Sequence, residues 1–347
     1  MYQIDGADAY ANLAAGIKKR TYRFPTKSEP AGRSGRLLPG IEPGFQLVRG
    51  EKVFTIGSCF AREIEQRLLR AGFDVPVTGF RTPSDEFPHP GPHLLNEYNS
   101  GTILQRIESA YGSFIPTNEM GLEEVDGRYL DLFLHIHQKP VTLERLIERR
   151  AEINQLYKTL HDSSVLVLTL GLVETWYDKL HDCYLNKAPS KHSIAAQPGR
   201  FFFRRMDVED VLDRMARCIR LVNENGPKKI LLTVSPVPIE ATFTRSNAVL
   251  ANAYSKSVLR VAAQVLTEIF DNVQYFPSFE IATSGGVDSF LADNVHVTPE
   301  TVDAIMKYLF DHFIESKEAK PASEYLAEFN YIDSEAASRI DGRPNLI

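Results

Sequence analysis

Cysteine is scarce in this chain: 347 residues carry three, Cys59, Cys183 and Cys218. They are widely separated, odd in number and form no CxxC pair. A disulfide framework and a thiolate metal centre are therefore not expected, and a reducing, cytoplasmic setting is. Tryptophan occurs once, at Trp176. No phosphate-cradling loop is present, since Gly285-Gly286 has neither the spacing nor the lysine that such a loop needs. There is no block of Lys and Arg, and the formal net charge is -6, which argues against a nucleic-acid partner. No stretch reads as a signal peptide or a membrane-spanning helix, so no membrane partner is expected. The oligomeric state has no signature in the sequence.

What is there is ordinary globular material, 43% apolar and 24% charged, enough for a sizeable core. Residues 1–50 are rich in Gly, Pro, Arg and Lys and read as an N-terminal extension with a short helix around 10–18. A strand follows at 52–56. A helix then places Ala61, Ile64, Leu68 and Ala71 on one face and stops at Gly72. A second short strand is expected at 73–77. Residues 78–131, which include Phe87-Pro88-His89-Pro90-Gly91-Pro92-His93, lack strand alternation. With a helix at 143–162 they read as a large insertion or lid after the second strand, spanning 78–162 of a domain that covers 51–316. The apolar runs 165–170 and 230–234 are strands covered on both faces, and 273–276 makes a last short one. A loop-rich stretch with Trp176 and Pro189 is expected between 170 and a helix at 208–222, with another helix at 248–270. Thr298 caps the final helix, and Pro299 takes its first position. Residues 317–347 form a polar C-terminal tail with Tyr325, Phe329 and Tyr331 available to dock. This alternation implies an α/β fold with a mostly parallel, doubly wound sheet.

In such sheets, sites form where strands end. The first strand hands over to its helix through Gly57-Ser58-Cys59, which offers two nucleophiles, Ser58 and Cys59, beside helix-terminal N–H groups. A helix N-terminus there is expected to lower the Cys59 thiol toward thiolate. After later strands come Glu174 and Trp176, then Ser235-Pro236-Val237-Pro238, then Asp293-Asn294-Val295-His296. An imidazole oriented by a carboxylate three residues earlier can take a proton from a thiol or hydroxyl. Bland readings stand beside these. Cys59 fits a buried structural thiol, Ser58 a helix cap, Glu174 a hydrogen-bonded core acid and Trp176 a packing residue rather than a sugar platform. The Ser255-Lys256 pair reads as facing solvent or a loop. His89, His93, His135 and His137 lack carboxylate or thiol partners at ligand spacing, so no metal is expected.

Gly57-Ser58-Cys59-Phe60-Ala61 resembles the signature of the GSCFA family. Leu232-Thr233-Val234-Ser235-Pro236-Val237-Pro238, the run from Ala253 to Arg260 and Tyr275-Phe276-Pro277-Ser278-Phe279-Glu280-Ile281 resemble its other blocks. That family is similar in outline to the SGNH (GDSL-type) hydrolases. The resemblance implies a flavodoxin-like three-layer fold in which Cys59 falls on the nucleophile and Asp293 and His296 on the acid–base pair. Val173 falls where those enzymes carry an oxyanion-binding asparagine. Gly57 with the backbone after it, Asn99 and Gly101 are then the expected oxyanion positions, and Glu174 and Trp176 the substrate-contacting ones. The implied activity is acyl-ester hydrolysis by covalent catalysis on a small-molecule or carbohydrate ester. The alternatives are acyl transfer in polysaccharide modification, with acyl-CoA as co-substrate and no other cofactor, and a non-catalytic binding protein on the same fold.

Overall fold

The computed structural model describes residues 2–26, 29, 35–88, 91–134 and 137–315. In chain order its strands are β1 (Val53–Gly57), β2 (Leu122–Val125), β3 (Arg128–Asp131), β4 (Val165–Leu170), β5 (Glu174–Asp178), β6 (Cys183–Leu185), β7 (Phe201–Arg205), β8 (Lys229–Val234) and β9 (Val273–Tyr275). The helices are α1 (Gly6–Lys19), α2 (Cys59–Arg70), α3 (Ser100–Ala110), α4 (Leu143–Lys158), α5 (Lys191–Ala196), α6 (Val208–Val222), α7 (Ala248–Ile269), α8 (Ser278–Ser284) and α9 (Pro299–Phe313).

The apolar runs of β1, β4, β8 and β9 pair in parallel in that order. Alternate residues of each strand enter opposite layers, as the period of two requires. Phe54, Ile56, Leu166, Leu168, Ile230 and Leu232 join the larger core with α3, α4, α6 and α7. Val53, Val165, Val167 and Leu231 join the other, with α2, α8 and α9. The result is a sheet between two helical layers, an α/β architecture compatible with a flavodoxin-like fold.

Several expectations change. The second strand shrinks to a single parallel bridge, Lys52 to Asp74, because the chain turns into a 3-10 helix at Pro76–Gly79. Proline there has no N–H to extend the ladder. The bridge still lies outside β1, where a flavodoxin-like sheet has its second strand. The segment expected as a lid contributes instead to the core. Ile103, Leu104 and Ile107 of α3 are buried in the larger cluster, as is Ile153 of α4. The stretch read as loop-rich forms an antiparallel sheet in the order β6-β5-β7, and β2 and β3 form a hairpin. The N-terminal extension is longer in helix than expected, and no residue of α1 is buried. Its final third wraps onto the domain. Leu47 is buried and bridges Ile314 after α9, and Leu38, Ile41 and Phe45 pack on the second core. The tail 317–347, with Tyr325, Phe329 and Tyr331, lies outside the described residues, as do His89 and His135.

The end of β1 cannot carry a side chain. Gly57 ends β1 opposite Thr169 of β4, with φ at +154°, and a Cβ there would stand 2.3 Å from the Thr169 carbonyl oxygen. Gly57→Ala is expected to cost on the order of 3 kcal/mol or to prevent folding. Gly6→Ala, whose Cβ would meet nothing within 4 Å, is expected to stay within about 0.5 kcal/mol of the parent. Urea denaturation of both variants checks the contrast.

Candidate active site

The parallel sheet sends every strand's carboxyl end to one edge, and three segments meet there. Ser58 leaves β1 in extended conformation and stands at the N-cap of α2, so Cys59 is the first helical residue. The Glu97 N–H donates to the Gly57 carbonyl at 2.9 Å, and the Leu172 N–H donates to the Tyr98 carbonyl at 2.7 Å. A Cβ on Gly171 would lie 2.8 Å from the Tyr98 oxygen and 3.2 Å from the Ser58 Cβ. The turn 57–59, the loop 96–99 and the end of β4 therefore touch one another, and only glycine fits at 57 and 171.

Ser58 does not cap its helix. Its side chain makes no capping bond, and its Oγ is buried without a hydrogen-bond partner. Its N–H donates to the Thr169 carbonyl at 3.4 Å. Cys59 is only part-buried, whereas Cys183 and Cys218 are buried. Of the two nucleophiles in the turn, the thiol is the one within reach of a substrate.

The thiol is not pre-ionised, contrary to the expectation from its helix position. Burial raises it, and the Lys256 charge, the Phe60 N–H and Arg62 pull it down less strongly, while Glu63 adds to the rise. A helix N-terminus contributes about 0.3–1 kcal/mol, which desolvation of a thiolate outweighs.

Ser255 and Lys256, expected at solvent, are the larger correction. Both are buried in α7. Ser255 Oγ accepts the Val173 N–H at 3.1 Å. Lys256 Nζ donates to the carbonyls of Gly171 at 2.8 Å, Ser235 at 2.8 Å and Val237 at 2.7 Å. Burial pushes this ammonium down, and coupling to Cys59 opposes the shift. Beneath the turn, the buried Glu65 accepts from Thr55 Oγ1 and pairs with Arg62 at 2.9 Å. Its second oxygen has no partner, and burial raises its carboxyl to about 7.

Asp293 and His296 form the expected pair, Oδ2 to Nδ1 at 2.6 Å. Asp293 Oδ1 also accepts the N–H groups of Val295 and His296. Burial would raise this carboxyl, but the His296 ring and those two N–H groups together hold it down at about 2. The loop leads into α9, whose far end bridges Leu47 just before β1, so its near end rises on the carboxyl side of the sheet. The His296 side chain is 63% exposed. It shares the edge with Cys59, but no hydrogen bond joins the two among the described residues.

The span from β1 into α9 is also where the sequence matches a known family: a model of the GSCFA family covers residues 52–309. The chain belongs to the GSCFA family. No curated protein matches its sequence.

In this GSCFA protein the remaining expected positions have visible structural work. Asn99 caps α3, its side-chain oxygen accepting from the Thr102 N–H at 3.0 Å. Gly101 admits the Tyr184 ring, which a Cβ would meet at 2.5 Å. Val173 lies in the apolar core with its N–H given to Ser255, so it supplies no oxyanion donor. Glu174 accepts from Thr242 Oγ1 at 2.6 Å and fastens the loop after β8. Trp176 packs edge-on against Phe203 and Phe243, with centroids 5.9 and 5.2 Å away. Sequence reasoning assigned Ser255 and Lys256 to solvent or a loop and gave Tyr98, Arg62 and Glu65 no role. Lys256 had a readable signal, since it sits three residues before Leu259 and seven before Ala263, inside the apolar stripe of α7.

Two outcomes follow for this edge. Native protein is expected to take up one equivalent of iodoacetamide, at Cys59. At pH 7 the rate should be at least about tenfold below that of a free thiol and should still be rising above pH 9; mass mapping against pH reads both. Glu65 binds a proton more tightly folded than unfolded. Its contribution to stability is therefore complete below about pH 4.5 and lost as pH rises to about 7. The stability difference between parent and Glu65→Gln is expected to shift by on the order of 3 kcal/mol across that window, in favour of the variant at high pH, in denaturant titrations at stepped pH.

Proposed function

We propose that this protein handles acyl groups by covalent catalysis in the manner of the SGNH (GDSL-type) hydrolases, with Cys59 as nucleophile. One observation carries the reading: the only cysteine that is not buried opens α2 at the carboxyl edge, on the same edge as a preformed Asp293–His296 pair. The flavodoxin-like strand arrangement supports it. A raised thiol needs a base at the moment of attack, and the exposed imidazole has one nitrogen, Nδ1, held by a carboxylate.

The steps balance as follows. His296 Nε2 takes the Cys59 proton as the sulfur bonds to the acyl carbon. The resulting oxyanion collapses, the carbon–oxygen bond to the leaving group breaks, and that alkoxide takes the proton from His296. Water then attacks the thioester with His296 as base, releasing the carboxylic acid and restoring the thiol. The Cys59 and Phe60 N–H groups at the start of α2 suit the oxyanion, whereas that of Ala61 is already given to the Ser58 carbonyl at 2.8 Å. The Ser58 N–H, already given to Thr169, and the side chain of Val173 do not contribute. His296 must close on the thiol when substrate binds, as catalytic hydrogen bonds often tighten only in the complex.

By the resemblance, the acyl group sits on a small molecule or carbohydrate. With p-nitrophenyl acetate, Cys59→Ala is expected to lose at least about 10³-fold in kcat/KM, and His296→Ala about 10²–10⁴-fold. Full activity in Cys59→Ala would remove the thiol from the mechanism. Supplying acetyl-CoA with and without a glycan separates the two enzymes: turnover that requires the glycan makes the protein a transferase.

A further inference from the structure

Lys256 is 2% exposed, and nothing in a covalent mechanism at Cys59 calls for a lysine. Its three N–H donors meet three carbonyls, from Gly171 just beyond β4 and from Ser235 and Val237 just beyond β8, at 2.7–2.8 Å. That count distinguishes the protonation states. An ammonium has three N–H groups and satisfies all three oxygens. A neutral amine has two, and would leave one carbonyl without a donor while turning its lone pair on it. The geometry is thus built for the charged form, at a depth where charge is costly. Among the described residues no carboxylate pairs with it. Its acceptor Gly171 packs on the turn that carries the thiol, where a Gly171 Cβ would lie 3.2 Å from the Cβ of Ser58, the neighbour of Cys59. Among the described residues the charge bearing on Lys256 is that of Cys59, and the groups whose charges bear on Cys59 are Lys256 from α7 and Arg62 and Glu63 from α2, with Tyr98 of the loop 96–99 coupled to the thiol as well. Arg62 already pairs with Glu65.

We propose that Lys256 is the positioning residue of the Cys59 site, a buried ammonium whose counterion is the Cys59 thiolate and whose three hydrogen bonds lock the ends of β4 and β8 around it. It is not the base, because its protons are all committed to carbonyls. It acts by making the sulfur anion cheaper to form when His296 draws the proton off. The inference rests on the reading of Cys59 as nucleophile, but its test needs no acyl substrate.

The test is the pH dependence of Cys59 alkylation by iodoacetamide, with Lys256→Met and Lys256→Gln set beside the parent and Ser255→Ala as a control for loosened packing. Both lysine variants are expected to move the midpoint up by one unit or more, giving at least a tenfold slower reaction at any pH below it, while Ser255→Ala leaves it in place. Folded lysine variants with the parent midpoint overturn the proposal. A second measurement uses the parent chain alone, in case the variants do not fold. With lysine labelled by ¹⁵N, Lys256 is expected to stay an ammonium through the pH at which Cys59 ionises, and to lose its proton at lower pH once Cys59 is carbamidomethylated, by reciprocal linkage. The same titration with and without the cap overturns the proposal. Loss of all acyl turnover with these midpoints shifted as expected would remove the enzymatic reading and leave the Lys256–Cys59 coupling standing.

Discussion

The close approach of Gly57 to Thr169 governs everything at the carboxyl edge. With no side chain at 57, β1 can end flush against β4, and the chain can turn from strand to helix within one residue. Any Cβ would push the strand ends apart by more than an ångström, and α2 would start elsewhere. Gly171 repeats the device on the opposite side, letting the end of β4 slide under Tyr98 and against Ser58. Two missing side chains thus bring three backbone segments into contact. The price is a set of buried polar atoms with no partner, including Ser58 Oγ and Thr169 Oγ1. Such atoms cost about 1–3 kcal/mol each unless water reaches them, and a fold tends to hold on to them where position matters more than stability.

Charge at this edge follows from the same crowding. Low effective dielectric raises the cost of any lone ion and strengthens any pair. The part-buried Cys59 thiol and the buried Glu65 carboxyl both shift toward their neutral forms, while Lys256 retains a full set of acceptors. The edge thus carries a thiol at rest, a buried lysine held by three carbonyls and an exposed imidazole. A thiolate formed there would be poorly solvated and correspondingly nucleophilic, and it would exist only while a base holds its proton. That arrangement protects the cysteine from oxidation at rest, since reactivity follows thiolate character.

The parts of this fold that could be read from the sequence are those where one physical signal dominates. Val165 to Leu170 and Ile230 to Val234 are apolar on both faces and can only be buried strands. Thr298-Pro299 is an unambiguous helix start. The small sheet escaped because Glu174-Thr175-Trp176-Tyr177-Asp178 mixes charge and aromatics on a strand whose partners, β6 and β7, come from later in the chain. The strand expected at 73–77 survives only as the Asp74 bridge because Pro76 ends the ladder. α3 looked like part of a lid, since Asn99 and Gly101 suggest a loop, yet the first is a cap and the second a seat for Tyr184. Lys256 escaped through a habit of reading, in which a lysine on a helix is assigned to water. Its place in the apolar stripe of α7 contradicted that assignment, and only the count of three carbonyls explains how the core tolerates it.

The chain also contains a comparison that limits what its late motif can mean. Asp178 and His181 have the same spacing as Asp293 and His296 and the same contact, Oδ2 to Nδ1, at 2.8 Å. Sequence alone cannot rank the two pairs. The structure separates them by what else each carboxylate holds. Asp178 is fully buried and takes the Arg200 guanidinium through both oxygens. Arg200 also reaches His181 Nδ1 at 3.2 Å, so that imidazole is a strut in a closed network between β5 and β7. Asp293 holds only its own loop and one ring, and that ring is open to solvent on its other nitrogen. An acid–base pair needs one side free to exchange a proton with a reacting group. By that criterion the loop before α9 qualifies and the turn after β5 does not, and the difference lies in a third residue rather than in the motif.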